Sequence, residues 1–287
     1  MSQVIDIHTH PAFFEPICAD SAQLAFRRQT LGLYKAGTAP LQHIFNQMRA
    51  AQIDRLALLP LDLTTRAGQE VVSNAEIQRL VALDPERFIG FASVDPFRAD
   101  ACAVLEQAFN GLGLAGLKLH PARQQFSPAD PRLFPLYEIC LRANRPVMFH
   151  AGISLQPESL GHFGHPAGFE ELALCFPKLR FCLAHFGWPW VTETAALLLK
   201  YPNVYADTGL LYFDSAREFY EQVFRRTLGE HWIDRSLRHQ VMFGSNNPRF
   251  EQLRMIEALR SFGWRAGTLE LVLGRNALVF LGQERAA

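Results

Sequence analysis

The chain has 287 residues, 49% hydrophobic and 20% charged, which suits a globular protein with a sizeable core. Its 28 Lys+Arg residues equal its 28 Asp+Glu residues, so no basic field for nucleic acid or anionic membrane is present. No apolar run reaches the roughly 18 residues of a membrane span, which leaves a small molecule or another protein as the partner.

The start, Met1-Ser2-Gln3, has no basic segment followed by an apolar run, and no secretory signal is read there. Cys18, Cys102, Cys140, Cys175 and Cys182 are scattered, odd in number and without a C-x-x-C pair. Reduced thiols in a cytoplasmic protein are the expectation.

Eight short β-rich runs then follow one another. "VIDIHTH" (4–10), "RLALLPLD" (55–62), "RFIGFASVDP" (87–96) and "LAGLKLHP" (114–121) form the first half. "RPVMFHAG" (145–152), "RFCLAHFG" (180–187), "NVYADTG" (203–209) and "QVMFGSNNP" (240–248) form the second. Helical stretches such as "NAEIQRLVALDPERF" and "FPLYEICLRANRP" lie between them, and "TLELVLGRNALVFLG" (268–282) reads as a closing amphipathic helix. Apolar strands alternating with helices predict a parallel sheet covered by helices. Eight units predict an α/β chain folded as one (β/α)₈ TIM barrel over 1–287. Residues 11–54 are long for one crossover, so an insertion after the first strand, a helix or a loop over the barrel mouth, is expected. A doubly wound sheet is the rival, but no G-x-G-x-x-G follows the first strand.

Nearly every run ends in a residue capable of chemistry. His8 and His10 end the first, Asp62 the second, Asp95 the third, and Lys118 with His120 the fourth. His150, His185, Asp207 and Asn246 end the remaining four. In a barrel these ends converge on one mouth. His8 and His10 alternate with apolar residues and are expected on one face together with Asp6. With His150 they offer three nitrogen ligands suited to one divalent transition metal, Zn²⁺ first, with Mn²⁺ and Fe²⁺ as alternatives.

Taken in order, "DIHTHP", "GLKLHP", "VMFHAG", "FPKLRFCLAHFGWPW", "NVYADTG" and "VMFGSNNP" resemble the amidohydrolase-related metal-dependent TIM-barrel family. The branch in question holds the aminocarboxymuconate-semialdehyde and γ-resorcylate decarboxylases together with lactone and amide hydrolases. The resemblance implies His8, His10 and His150 as metal ligands and His185 as the histidine that activates water or polarises substrate. It also implies a metal-binding aspartate in "GSD-x-P" after the eighth strand, where this chain has Asn246. Asparagine can offer a carbonyl oxygen to the metal but cannot take a proton. Asp207 is the best substitute acceptor, with Asp62 and Asp95 behind it.

Lys118, on the face of Gly116 and His120, is expected to meet an acid, a substrate anion or, as in some wider relatives of the family that the chain resembles, a metal-bridging modification, since an unpaired buried ammonium is costly. Lys118, His120, Arg123 and Arg249 are therefore the candidate substrate-binding residues, with Arg66 as a further loop arginine. His162 and His165 are read as loop residues, and Trp188 and Trp190 as packing for the sixth loop. The expected activity is metal-dependent hydrolysis or decarboxylation of a small carboxylated or cyclic compound. A non-catalytic partner subunit with a drifted site and a metal-dependent oxygenase are the rivals, and homo- or hetero-oligomerisation stays open.

Overall fold

The computed structural model describes residues 3–209 and 213–283. Eight parallel strands carry the architecture: β1 (Ile5–Thr9), β2 (Arg55–Leu58), β3 in two pieces (Phe88–Gly90 and Ala92–Ser93) and β4 (Leu117–Leu119), then β5 (Val147–Phe149), β6 (Phe181–Leu183), β7 (Val204–Asp207) and β8 (Val241–Met242). Each pairs with its sequence neighbour, as in Lys118 opposite Met148 and Met148 opposite Cys182. The first piece of β3 pairs with β2 and the second with β4. The ring closes through Ile7 N–H to Phe243 O (3.0 Å), Asn246 N–H to His8 O (2.9 Å) and a parallel bridge between Thr9 and Asn247. This is the TIM barrel that the eight runs predict.

Strand alternation divides the core in two. Leu56, Leu58, Leu117, Leu119, Val147, Phe149, Phe181 and Leu183 face outward and pack with the surrounding helices. Ile5, Ile7, Ala57, Ile89, Met148, Cys182 and Met242 fill the barrel, and Phe280 and Leu281 of the final helical segment join that inner cluster. The tail is one path made of α-helix Ala266–Glu270, a π-turn at Leu271–Arg275 and α-helix Asn276–Leu281, where the sequence suggested a single helix.

The insertion after β1 supplies α1 (Ser21–Leu31) and α2 (Leu41–Ala51). Asp20 caps α1, accepting from Ala22 N and Gln23 N, and Gly32 ends it at φ 63. A second element was not anticipated. Leu61–Leu63 and Gln69–Val72 form an antiparallel hairpin between β2 and β3. Arg27, fully buried on α1, ties these pieces together. It donates to Ala12 O (3.2 Å), Ile17 O (2.7 Å) and Val71 O (2.8 Å), and pairs with Glu76 at 2.6 Å.

Candidate metal and substrate site

His8 sits at the end of β1, where the β1–β2 register shifts between Asp6 and Thr9. That shift breaks the strict alternation expected along the run. Asp6 is consequently not a partner of the two imidazoles. Its carboxylate accepts from Ser245 Oγ (2.6 Å), Ser245 N (2.9 Å) and Gln252 Nε2 (2.7 Å), pinning β1 to β8.

The His8 ring is fixed from behind. Its Nδ1 lies 2.8 Å from Asp207 Oδ2, and its Nε2 lies 3.1 Å from His10 Nε2. An Nδ1–H donated to a carboxylate leaves Nε2 as a lone-pair donor. Burial, reinforced by the Lys118 charge, pushes both His8 and His10 well below the usual histidine range. Two neutral imidazoles with Nε2 atoms 3.1 Å apart could donate to one metal ion.

Asp207 ends β7 and is completely buried. Besides His8 it accepts from the backbone N–H of His185 (2.7 Å) and of Gly209 (2.9 Å). Space here is tight enough to exclude side chains at two glycines. A Cβ on Gly244 would come within 2.8 Å of His8 Cβ, and one on Gly209 within 2.9 Å of Asp207 Oδ1.

After β6 the chain turns sharply, with His185 at φ 60, Phe186 at φ 50 and Gly187 at φ 61. Phenylalanine rarely adopts that conformation, so the Asp207 bond to the His185 amide helps hold a strained turn. The turn brings the His185 ring 4.8 Å from His8 and 4.9 Å from His150. His185 Nδ1 faces Gly209 O at 3.1 Å, which leaves Nε2 free. His8, His185 and Asp207 can place one donor atom each within 4.8 Å of one another. His150 is held by Ile153 O against Nε2 (3.2 Å), and His120 stacks on it at 3.8 Å with an 11° interplanar angle.

Above these groups opens a cleft of about 790 Å³, counting its open mouth. His10, His120, His150, His185, Lys118 and Asn246 line its floor and sides. Lys118 Nζ is buried without a hydrogen-bond partner among the described residues, and so is His120 Nδ1. Burial lowers the Lys118 ammonium to about 8, against an opposing pull from Asp207. The acid partner expected for Lys118 is thus absent among the described residues. Arg123 and Arg249 also line the cleft, and among the described residues no Asp or Glu does. Burial also lowers Arg123 to about 10. An apolar wall of Leu31, Leu33, Leu61, Val71 and Val72, built from the end of α1 and the hairpin, also lines the cleft.

The remaining sequence candidates lie elsewhere. Asp62 accepts from Thr64 and the Asp95 amide and pairs with Arg98 at 3.0 Å, while Asp95 holds Thr65, so both are turn residues. Arg66 is exposed on the short helix Thr64–Ala67. His165 accepts from Ala167 N and packs on Trp190 at 4.6 Å; neither it nor His162 lines the cleft. Asn246, at φ 61, occupies a left-handed conformation that asparagine tolerates well. Asp207 is not on the cleft wall but behind His8. The apolar wall was missed by sequence reasoning, although the alternation in "LDL" and "QEVV" around Gly68 was a readable hairpin signal.

A family model described as Amidohydrolase matches residues 5–283. Among curated proteins, 2-amino-3-carboxymuconate-6-semialdehyde decarboxylase of Dictyostelium discoideum is 25% identical over 248 residues, covering 73% of this chain. Protein fluG of Emericella nidulans is 31% identical over 85 residues, or 30% of this chain. The chain spans less than two-thirds of these relatives, 65% of the first and 10% of the second. Among solved structures, an uncharacterized TIM-barrel protein from Bordetella bronchiseptica matches with a TM-score of 0.75 at 22% identity, covering 98% of this chain and 99% of that one. A 5-carboxyvanillate decarboxylase from Novosphingobium aromaticivorans, a mutant with bound manganese and 3-methoxy-4-hydroxy-5-nitrobenzoic acid, matches with a TM-score of 0.64 at 16% identity, covering 98% and 97%.

Proposed function

The chain belongs to the amidohydrolase family, and from that premise we propose that it is a metal-dependent enzyme that decarboxylates or hydrolyses a small organic anion. The observation that carries this reading is the cleft. Histidines at the ends of β1, β4, β5 and β6 line it together with Lys118, Arg123 and Arg249, and among the described residues no carboxylate does.

The chemistry of the neutral donors at the floor suits one divalent transition metal, whereas the tightest cluster of donor atoms is that of His8, His185 and Asp207. His8 and His10 through Nε2, His150 through the nitrogen not engaged by Ile153, and the Asn246 side chain are the proposed ligands. Neutral imidazoles favour Zn²⁺, with Mn²⁺ and Fe²⁺ as alternatives. The metal would act as a Lewis acid on a carboxylate or on water. Asp207 holds the His8 tautomer and thereby orients a ligand, the outer-shell task of a carboxylate behind a metal-bound histidine. It also fixes the His185 turn through the backbone amide.

His185 has the geometry of a proton shuttle: burial pushes its ring below the usual histidine range, so with Nδ1–H donated to Gly209 O its Nε2 carries a lone pair and must take up a proton before it can pass one on. Its Nδ1 is occupied by Gly209 O, so Nε2 is the atom able to exchange a proton with substrate. Lys118 lies deep, beside the histidines, and would neutralise a carboxylate held there. Arg123 and Arg249 would hold anionic groups nearer the mouth, and the apolar wall would take the carbon skeleton. Asn246 supplies no base, and the Asp207 oxygens are taken up by His8, His185 and Gly209. Decarboxylation, in which His185 Nε2 would take a proton from solvent and pass it to the carbon that loses CO₂, therefore needs no carboxylate base and is favoured over hydrolysis.

The test is release of CO₂ from a panel of aromatic and unsaturated carboxylic acids, with parallel assays on lactones and amides. The account expects CO₂ release, lowered roughly 10²–10⁴-fold in His185→Asn with metal content retained. Hydrolysis without decarboxylation would reverse the preference. Loss of metal in His185→Asn would make that residue a ligand.

A further inference from the structure

The two cleft arginines do something besides face the cavity. Arg123, following β4, donates through Nη1 to Thr30 O at 3.1 Å. Arg249, following β8, donates through Nη2 to Leu31 O. Residues from opposite sides of the barrel thus reach adjacent carbonyls in the last turn of α1. The final carbonyls of a helix lack intrahelical partners and carry the negative end of its dipole. Without the arginines, α1 would aim that negative end toward a cavity built for an anion.

Neither guanidinium forms an ion pair with a carboxylate among the described residues; Glu158 acts on Arg123 only through its field. Each has five N–H donors, of which the helix takes one. The rest remain for a ligand in the cleft that both arginines line. The same turn of α1 carries Leu31, and Leu33 follows it, so docking of the helix end also completes the apolar wall.

We propose that Arg123 and Arg249 bridge the bound anion to the end of α1, so that anion binding and docking of residues 21–33 as a lid are one coupled event. This rests on the reading of the cleft as an organic-anion site. An anion draws the two guanidiniums into one place, and there they hold the helix carbonyls. A docked helix fixes the guanidiniums for the anion in return. Coupling of this kind is reciprocal. Arg123 and Arg249 are then positioning residues for the lid as well as anion contacts.

The experiment measures amide hydrogen exchange with benzoate as the probe, its binding followed separately by calorimetry on the intact chain. Saturating benzoate should slow exchange across residues 21–33 by a factor within the roughly 5- to 150-fold range of such couplings, while surface helices such as Gln252–Arg260 stay unchanged. In the double variant Arg123→Lys with Arg249→Lys, which keeps both charges but loses the planar forks, the slowing should disappear. Benzoate that binds the wild-type protein without slowing residues 21–33 overturns the coupling and leaves the anion site standing. Slowing that persists in the lysine variant overturns it too, since the lid would then respond without the arginines. Failure of benzoate to bind at all removes the anion reading, and the coupling with it.

Discussion

At the floor of the cleft one acceptor gathers donors: Asp207 receives the His8 ring and two backbone amides, all buried and all from strand ends. At the roof the polarity is reversed. Arg27 gives its hydrogens to three backbone carbonyls and Glu76, and Arg123 and Arg249 give theirs to the end of α1. The floor is fixed by side chains whose positions the barrel dictates. The roof is an insertion and a hairpin fastened by arginines to main-chain oxygens. The groups proposed to do chemistry rest on strand ends, and the wall proposed to meet the carbon skeleton rests on inserted segments.

The strongest way to break this contrast is Arg27→Met. It strands three carbonyls and the Glu76 carboxylate, a loss on the order of 3–5 kcal/mol. The loss should fall on the roof, seen as faster hydrogen exchange in Ser21–Leu31 and Gln69–Val72 with metal content unchanged. Equal loss of metal would show that the two regions are not separable.

The converse change is Asp207→Asn, which removes the charge behind His8 while keeping its shape. Metal affinity should fall roughly 10–100-fold, measured by competition with a chelator, and exchange in α1 should not move. An unchanged affinity would place Asp207 outside the control of any metal.

A smaller and graded effect comes from pH. Glu70, on the hairpin, has its carboxyl raised from 4.5 to about 7 by burial and by the charges of Asp62 and Glu76, with Arg98 opposing. A raised carboxyl means that the unfolded chain binds fewer protons between those values, so roof stability should fall as pH rises from 4.5 towards 7. Exchange of the Gln69–Val72 amides, corrected for its intrinsic pH dependence, should speed up over that window in wild type and not in Glu70→Gln.

Much of the floor was legible because barrel topology turns sequence order into spatial proximity. The ends of eight apolar runs had to converge, which gathers His10, Lys118, His120, His150, His185 and Asn246 from sequence order alone. The place of Asp207 was not legible in the same way. Its position at the end of β7 was, but that it sits behind His8 depends on which carboxylate oxygen meets which nitrogen. Asp6 was misplaced beside the histidines because a register shift in β1 leaves no mark on an alternating pattern. The roof was the least legible part. Arg27, Arg123 and Arg249 act on backbone carbonyls far along the chain, and any residue type can provide a carbonyl.

The central claim, that a metal is held where β1 and β5 end, is tested most directly by elemental analysis of protein purified without chelator. Wild type should carry close to one divalent transition metal per chain, and the folded His8→Ala, His10→Ala double variant should carry almost none. Full metal content in that double variant, with its circular dichroism unchanged, would contradict the account.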